Sequence, residues 1–141
     1  MSKSYDSVAL AGRIFIGVLF FMSGLGKIAA PAATQAYIAA VGLPVPVISY
    51  LAALTIEVLG GLLLFTGYRA RPVAIGMAVF TFATALFFHR NFADQNQMIH
   101  FMKNIAIIGG LLQVAAFGGG RFSLDGLLAR RAPAAHATVA A

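Results

Sequence analysis

Residues 51–67 read LAALTIEVLGGLLLFTG, an apolar run interrupted near its middle by the carboxylate of Glu57. The run is too long and too apolar for the surface of a soluble domain. An ionised side chain near the centre of a bilayer costs about 2.5–3.5 kcal/mol on insertion scales. We therefore expect Glu57 to face the protein interior, where it either pairs with a base or carries a proton.

The composition of the whole chain indicates that it lies in lipid. Of its 141 residues, 60% are hydrophobic and only 10% are charged, whereas an average soluble domain carries about 25% charged residues. The net charge of +6 does not indicate nucleic acid, because the basic residues lie at the ends of apolar runs and do not form a patch with interleaved aromatic residues. The chain has no cysteine, which excludes disulfides, thiolate metal sites and dithiol relays within it.

Four apolar runs are long enough to cross a bilayer of about 30 Å at about 1.5 Å per residue. They predict an all-α fold, a polytopic bundle of four transmembrane helices at residues 8–30, 47–67, 72–88 and 99–117. Residues 1–131 would form this one domain, and the Ala-rich residues 132–141 are expected to be a disordered tail. The first run lacks a small-residue cleavage site, which favours a retained helix over a signal peptide.

The charges of the loops predict the orientation. If the N-terminus is cytoplasmic, six basic residues fall on the cytoplasmic side: Lys3, Arg69, Arg71, Arg121, Arg130 and Arg131. Opposite them lies Arg90 in a loop, with Lys27 and Lys103 near the outer helix ends. The positive-inside rule then places both termini in the cytoplasm.

A short amphipathic helix is predicted between the first two spans. Residues 31–46 carry apolar side chains at Tyr37, Ile38 and Val41 before a Gly-Leu-Pro sequence. This spacing fits a helix that lies on the outer leaflet and ends at the glycine. An ordered loop is the alternative.

A second short helix is predicted after the fourth span. The glycines at 118–120 end that span, and Ser123 or Asp125 is expected to cap the helix that follows. This helix carries Arg130 and Arg131 and would rest on the inner membrane surface.

A stripe along the first span carries two cations and two glycines at alternating spacings of four and three. Its members are Arg13, Gly17, Phe20, Gly24 and Lys27. Small residues allow helices to approach closely in lipid, so we expect this stripe to face the bundle. Snorkelling to the headgroups is the alternative for both cations.

Polar residues on the other spans are expected to meet this stripe. Counted from the membrane ends, Glu57 lies about one to two turns deeper than Lys103 or Arg13, within reach of either long side chain. We predict a buried network of Arg13, Glu57 and Lys103, with Asn104 as a hydrogen-bonding member. This ligand or proton site would also include His100, with secondary roles for Lys27, His89 and Tyr50. The alternative is that the polar network only fixes helix register.

Histidines and phenylalanines crowd the outer end of the last two spans. His89 and His100 lack the third ligand or motif that a haem or metal site needs, so neither group is expected. A quinone headgroup, hydrogen-bonded by histidine, lysine or asparagine, suits these residues better than haem or a metal ion. Six phenylalanines there either pack or form an apolar slot for a flat ring: Phe80, Phe82, Phe87, Phe88, Phe92 and Phe101. No catalytic residue is predicted, because no nucleophile–base arrangement is present.

The sequence resembles the DoxX family of small bacterial inner-membrane proteins. The matching segments are LAGRIFIGVLFFMSGLGKI (10–28), GLPVP (42–46), LTIEVLGGLLLFTGYRAR (54–71) and FMKNIAIIGGLLQVAAFGGGRFSLD (101–125). The resemblance implies a four-helix bundle in the bacterial inner membrane. The family takes its name from a relative, DoxD, a subunit of a thiosulfate:quinone oxidoreductase, and other members resemble membrane components of redox or oxidative-stress systems. The polar positions carried over are Arg13, Lys27, Glu57, Lys103 and Asn104.

Three functions are compatible with these features. The first is a membrane redox accessory that binds a quinone-like molecule or docks a soluble or membrane oxidoreductase, at most as a non-catalytic subunit, since the chain has no evident redox centre. The second is a small proton-coupled transporter or permeation pathway, for which a homodimer would supply more helices. The third is a structural scaffold, in which Glu57→Ala and Lys103→Ala together would be tolerated better than either alone.

Overall fold

The computed structural model describes residues 3–131 of the chain. The tail at 132–141, predicted to be disordered, lies outside the described residues. All regular secondary structure in the described part is helical, and the helices follow one another as α1 (Lys3–Ala29), α2 (Pro31–Ala40), α3 (Pro46–Thr66), α4 (Ala70–Phe88), α5 (Gln95–Phe117) and α6 (Leu124–Arg131). We call the end of the bundle that carries α2 and the α4–α5 loop the α2 end. The opposite end, which carries Arg13 and α6, is the Arg13 end.

Four of the described helices are long and apolar enough to cross a membrane, which confirms the predicted all-α bundle. They are α1, α3, α4 and α5. The last of them begins at Gln95 and not at residue 99. The reason is Asp94, whose carboxylate accepts hydrogen bonds from the N–H groups of Asn96 and Gln97 at 2.8 and 3.2 Å and so caps the helix.

The short helix predicted between the first two spans is present as α2. It has Pro31 in its first turn and is followed by Gly42, whose φ is +83°. Ile38 is buried, and the Tyr37 ring contacts Phe88 of α4 with ring centroids 5.2 Å apart. α2 therefore packs back onto the bundle through these two side chains.

Glycines bring α1 and α3 into backbone contact. A Cβ added to Gly17 would lie 2.9 Å from the carbonyl oxygen of Gly61, and one added to Gly24 would lie 2.6 Å from Cγ2 of Val58. Arg13 and Phe20, which share the stripe with these glycines, are buried as well. The stripe therefore faces inward as predicted, and its small residues set the distance between the two helices.

A π-helical turn, Thr55–Gly60, lies within α3 and contains Glu57. Gly60 and Gly61 are both buried at the end of this turn, against different helices. A Cβ on Gly60 would lie 3.1 Å from Sδ of Met77 in α4, while Gly61 faces Gly17 in α1. π-turns are rare and occur often at functional sites.

Helix α6 closes the Arg13 end. Ser123, one of the two predicted caps, accepts a hydrogen bond from the N–H of Gly126 at 3.0 Å. Asp125 instead caps α4, because its carboxylate accepts from the N–H groups of Arg69 and Ala70, both at 2.8 Å. The segment after α5 is thus tied to the start of α4.

Candidate ligand site at the Lys27–Glu57 ion pair

Lys27 of α1 and Glu57 of α3 form an ion pair inside the bundle. Nζ of Lys27 donates a hydrogen bond to Oε1 of Glu57 at 2.9 Å and lies 2.8 Å from Oε2. The side chain of Glu57 is 7% exposed and that of Lys27 is 27% exposed. Side chains lean toward the N-terminus of their helix, so in two antiparallel helices these side chains lean toward each other.

The lysine has more hydrogen-bonding partners than the carboxylate. Nζ of Lys27 also donates to Oγ of Ser23 at 2.9 Å, and the hydroxyl of Tyr50 donates to the Lys27 carbonyl at 3.2 Å. Oε2 of Glu57 is buried and accepts no directional hydrogen bond from the part of the chain that the structure describes, although the ammonium lies beside it. The ammonium thus balances the charge of the carboxylate, and a ligand that hydrogen-bonds to either charged group would be stabilised there.

A cavity of about 680 Å³ adjoins the ion pair, and both of its members line it. Pockets for small molecules and cofactors typically enclose about 300–1,000 Å³. Side chains from α1 to α5 and the loop after α2 contribute to the wall, which is mainly apolar. Its larger apolar members are Leu19, Phe20, Tyr37, Ile38, Leu43, Phe80, Phe87, Phe88 and Ile107.

Polar side chains besides the ion pair also line the cavity: Ser23, Thr34, Ser49, Thr81, Thr84, His89 and Asn104. The hydroxyls of Thr81 and Thr84 line it, and both donate to carbonyl oxygens one turn earlier in α4, at 2.7 and 2.9 Å. Their oxygens therefore remain available only as acceptors. Asn104 of α5 also lines the cavity, and its predicted role as a hydrogen-bonding member stays a prediction. An apolar chamber with one charged wall suits a ligand that has a polar head and an apolar body.

Half of the phenylalanines predicted to form an apolar slot do line the cavity: Phe80, Phe87 and Phe88. Phe82 and Phe92 do not line it. Phe101 contacts Phe92 edge-on, with ring centroids 5.0 Å apart, and does not line the cavity.

Arg13 does not join Glu57, so the predicted Arg13–Glu57–Lys103 network is wrong. The Arg13 guanidinium is buried and donates to the carbonyls of Leu64 and Phe65 at the end of α3 and to that of Phe122, with the first and last bonds at 2.8 Å. The last carbonyls of a helix lack N–H partners within it, and α3 is followed by Gly67, whose φ is +70°. Arg13 satisfies these carbonyls at the Arg13 end.

Lys103 also lies away from Glu57. It is exposed and does not line the cavity, whereas its neighbour Asn104 does. Successive residues of an α-helix point about 100° apart, and α5 is turned so that Asn104 faces the cavity while Lys103 faces outward. The base that pairs with Glu57 is Lys27, to which the sequence interpretation gave only a secondary role.

The two histidines stack at the α2 end. The rings of His89 and His100 have centroids 5.0 Å apart and an interplanar angle of 24°. His89 lines the cavity, and its Nδ1 lies 3.0 Å from Oε1 of Gln97, whereas His100 is exposed. Among the described residues, no group of three or more His, Cys, Asp or Glu side chains is placed to hold a metal ion.

Sequence reasoning missed the residues that complete the cavity. Ser23, Thr81 and Thr84 carry no pattern that separates them from helix-packing residues, and the part played by α2 depends on its folding back onto α4. The sequence did indicate that Lys27 faces the interior, because this residue shares a helix face with Gly17 and Gly24.

Comparison with known proteins gives consistent matches. The DoxX family model matches residues 8–90, a range that includes both members of the ion pair. The chain is similar to the inner membrane protein YqjF of Escherichia coli (strain K12), with 39% identity over 134 residues that cover 93% of this chain and 99% of that protein. It is 32% identical to the inner membrane protein YphA of the same organism over 121 residues, 82% of this chain and 86% of that protein. A shorter match, 34% over 79 residues, covers 56% of this chain and 58% of a Bacillus subtilis (strain 168) protein named "Putative oxidoreductase CatD". No solved structure matches the chain significantly.

Proposed function

The chain belongs to the DoxX family of membrane proteins, and we propose that its cavity binds a quinone-like molecule on behalf of a partner oxidoreductase. The observation that carries the proposal is the ion pair itself: Lys27 and Glu57 both line the mainly apolar cavity, and Nζ of Lys27 lies 2.9 and 2.8 Å from the two carboxylate oxygens. Two of its relatives are named inner membrane proteins, and a third carries "oxidoreductase" in its name.

The ion pair supplies both kinds of group that a quinone and its reduced form require. The Lys27 ammonium would donate a hydrogen bond to a ring carbonyl, and Glu57 would accept one from a hydroxyl of the hydroquinone. Conversion of a quinone to a hydroquinone takes up two electrons and two protons. The partner would supply the electrons and the solvent the two protons, while Lys27 donates a hydrogen bond at one ring oxygen and the Glu57 carboxylate accepts one from the hydroxyl formed at the other.

The aromatic wall would hold the ring and its tail. Phe80, Phe87 and Phe88 offer faces and edges against which a flat ring packs. The apolar side chains of α1 and α5 would receive the isoprenoid tail. The apolar wall also limits water around the ion pair, which strengthens its hydrogen bonds to the headgroup.

The proposal also includes the orientation of the bundle across the membrane. Five exposed arginines lie at the Arg13 end, whereas Arg90 is in the α4–α5 loop at the α2 end. The positive-inside rule would place the Arg13 end and both termini in the cytoplasm. The cavity would then lie toward the outer leaflet, where α2 packs over the bundle.

Binding of a short-chain ubiquinone or menaquinone analogue to the purified protein tests this function. We expect the quinone to raise the melting temperature, and we expect Glu57→Gln or Lys27→Met to weaken binding about tenfold or more, because each removes a charge-assisted hydrogen bond worth about 1.5–3 kcal/mol. Lys103→Met is the matched control and should bind as the native chain does. Absence of binding, or equal loss in the Lys103 control, would remove the proposal.

A further inference from the structure

We propose a second site, for the headgroup of an anionic phospholipid, at the Arg13 end of the bundle. The arginines at this end are all exposed: Arg69, Arg71, Arg121, Arg130 and Arg131. Two carboxylates lie near them. Asp6 is buried, and Asp125 lines the hollow described below, where its carboxylate accepts from two N–H groups at the start of α4. Five exposed arginines outnumber these two acidic residues. The surface therefore presents a concentrated positive charge.

A hollow of about 390 Å³ lies within this positive surface. It is bounded by the start of α4, the glycines at 118–120 and the first turn of α6. Arg71 lines the hollow and lies across Gly118, since a Cβ added to Gly118 would be 3.2 Å from the arginine Nε. The guanidinium is thus placed at the hollow by backbone contact.

The glycine segment offers further hydrogen-bond donors. Gly118 and Gly120 have φ angles of +81° and +76°. Within the described residues, the N–H groups of Gly119 and Gly120 make no backbone hydrogen bond. Backbone N–H groups without a partner are available to bind an anion. A guanidinium beside two such N–H groups presents the donor set that a phosphate group accepts.

The position of the hollow favours a lipid phosphate over a soluble one. It lies just beyond the end of α5 at Phe117 and the start of α4 at Ala70, the two ends of membrane-crossing helices. Phe117 also lines the hollow and is 76% exposed, so an apolar surface continues from the site toward the hydrocarbon. Phosphatidylglycerol meets both features, because its phosphate carries a negative charge that no ammonium in the same headgroup neutralises.

Native mass spectrometry of the purified full-length chain with phosphatidylglycerol or phosphatidylcholine tests the site. We expect phosphatidylglycerol to bind at least tenfold more tightly. Arg71→Gln should remove most of this preference, and Arg71→Lys should restore part of it by keeping the charge without the planar fork. Arg90→Gln, at the α2 end, is the matched control and should leave the preference unchanged.

Three results would overturn the proposal. Equal binding of the two lipids would exclude an anion-selective headgroup site. Equal effects of the Arg71 and Arg90 variants would show that net charge alone attracts the lipid. Inorganic phosphate that displaces phosphatidylglycerol at a similar concentration would assign the hollow to a soluble anion. Matched melting temperatures of the two glutamine variants establish that loss of binding is not loss of folding.

Discussion

Lys27 and Glu57 meet beside a close contact between two antiparallel helices. A Cβ added to Gly24, which lies three residues before Lys27, would be 3.3 Å from Cβ of Glu57. This proximity brings the lysine Nζ to within 2.8 Å of the carboxylate at the wall of the cavity. The helix contact and the ion pair are therefore parts of one arrangement, and each can be tested separately.

The ion pair should behave as a coupled unit in stability measurements. Lys27→Met leaves a buried carboxylate without its base and should lower the free energy of unfolding by about 3 kcal/mol. This value is at the lower end of the range for buried pairs because the lysine is partly exposed. In the double variant Lys27→Met/Glu57→Gln, the loss in the free energy of unfolding should be about 1–2 kcal/mol smaller than the sum of the losses in the two single variants. Unfolding in detergent micelles measures these differences, with Lys103→Met as a near-neutral control. Additive losses would mean that the two side chains are not coupled.

The glycines of α1 should differ sharply in their tolerance of alanine. Gly17→Ala places a methyl group 2.9 Å from the Gly61 carbonyl oxygen, whereas nothing lies within 4 Å of a Cβ at Gly26. The first substitution should destabilise the bundle by about 1–3 kcal/mol through overpacking. Gly26→Ala should be neutral or stabilising by up to about 1 kcal/mol, because alanine favours helix. Equal effects on the melting temperature would argue against a close α1–α3 contact.

Arg13 should hold the segment after α5 in place. Arg13→Met removes the donors to the Leu64, Phe65 and Phe122 carbonyls. Each bond from a charged donor is worth about 1.5–3 kcal/mol, so we expect a clear loss of stability. The same change should make α6 more accessible to limited proteolysis, while Arg90→Met should not. Unchanged cleavage in the Arg13 variant would contradict this role.

The proposed orientation can be read by labelling, because the native chain has no cysteine. Ala93, in the α4–α5 loop, and Ala129, on α6, are both exposed and suit single cysteine substitutions. A membrane-impermeant maleimide should label Ala93→Cys in intact cells and Ala129→Cys only after permeabilisation. The reverse pattern would place the cavity on the cytoplasmic side.

Hydropathy and spacing were sufficient to predict the membrane-crossing bundle and the inward face of α1. The 3.6-residue period sorts residues around a helix, so Gly17 and Gly24 could be assigned to the interior. The period does not give the register between helices. That register puts Lys27, and not Arg13, beside Glu57, because the glycine contacts align the end of α1 with the start of the π-turn.

Neither the rotation of α5 about its axis nor the cavity could be predicted from the sequence, for a related reason. His100, Lys103 and Asn104 lie within little more than one turn, and a rotation by one residue decides which of them faces inward. Asn104 lines the cavity and Lys103 is exposed, an outcome set by how α5 packs on α4. The π-turn at Thr55–Gly60 has no recognised signature in the sequence, and the cavity volume depends on the packing of several helices at once.

A density map of the purified protein with an added quinone tests the central claim most directly. We predict density for a flat ring in the cavity, with one ring oxygen within hydrogen-bonding distance of the Lys27 ammonium and the other beside the Glu57 carboxylate. An empty cavity at saturating quinone, or a quinone bound only on the lipid-facing surface of α5, would contradict the account.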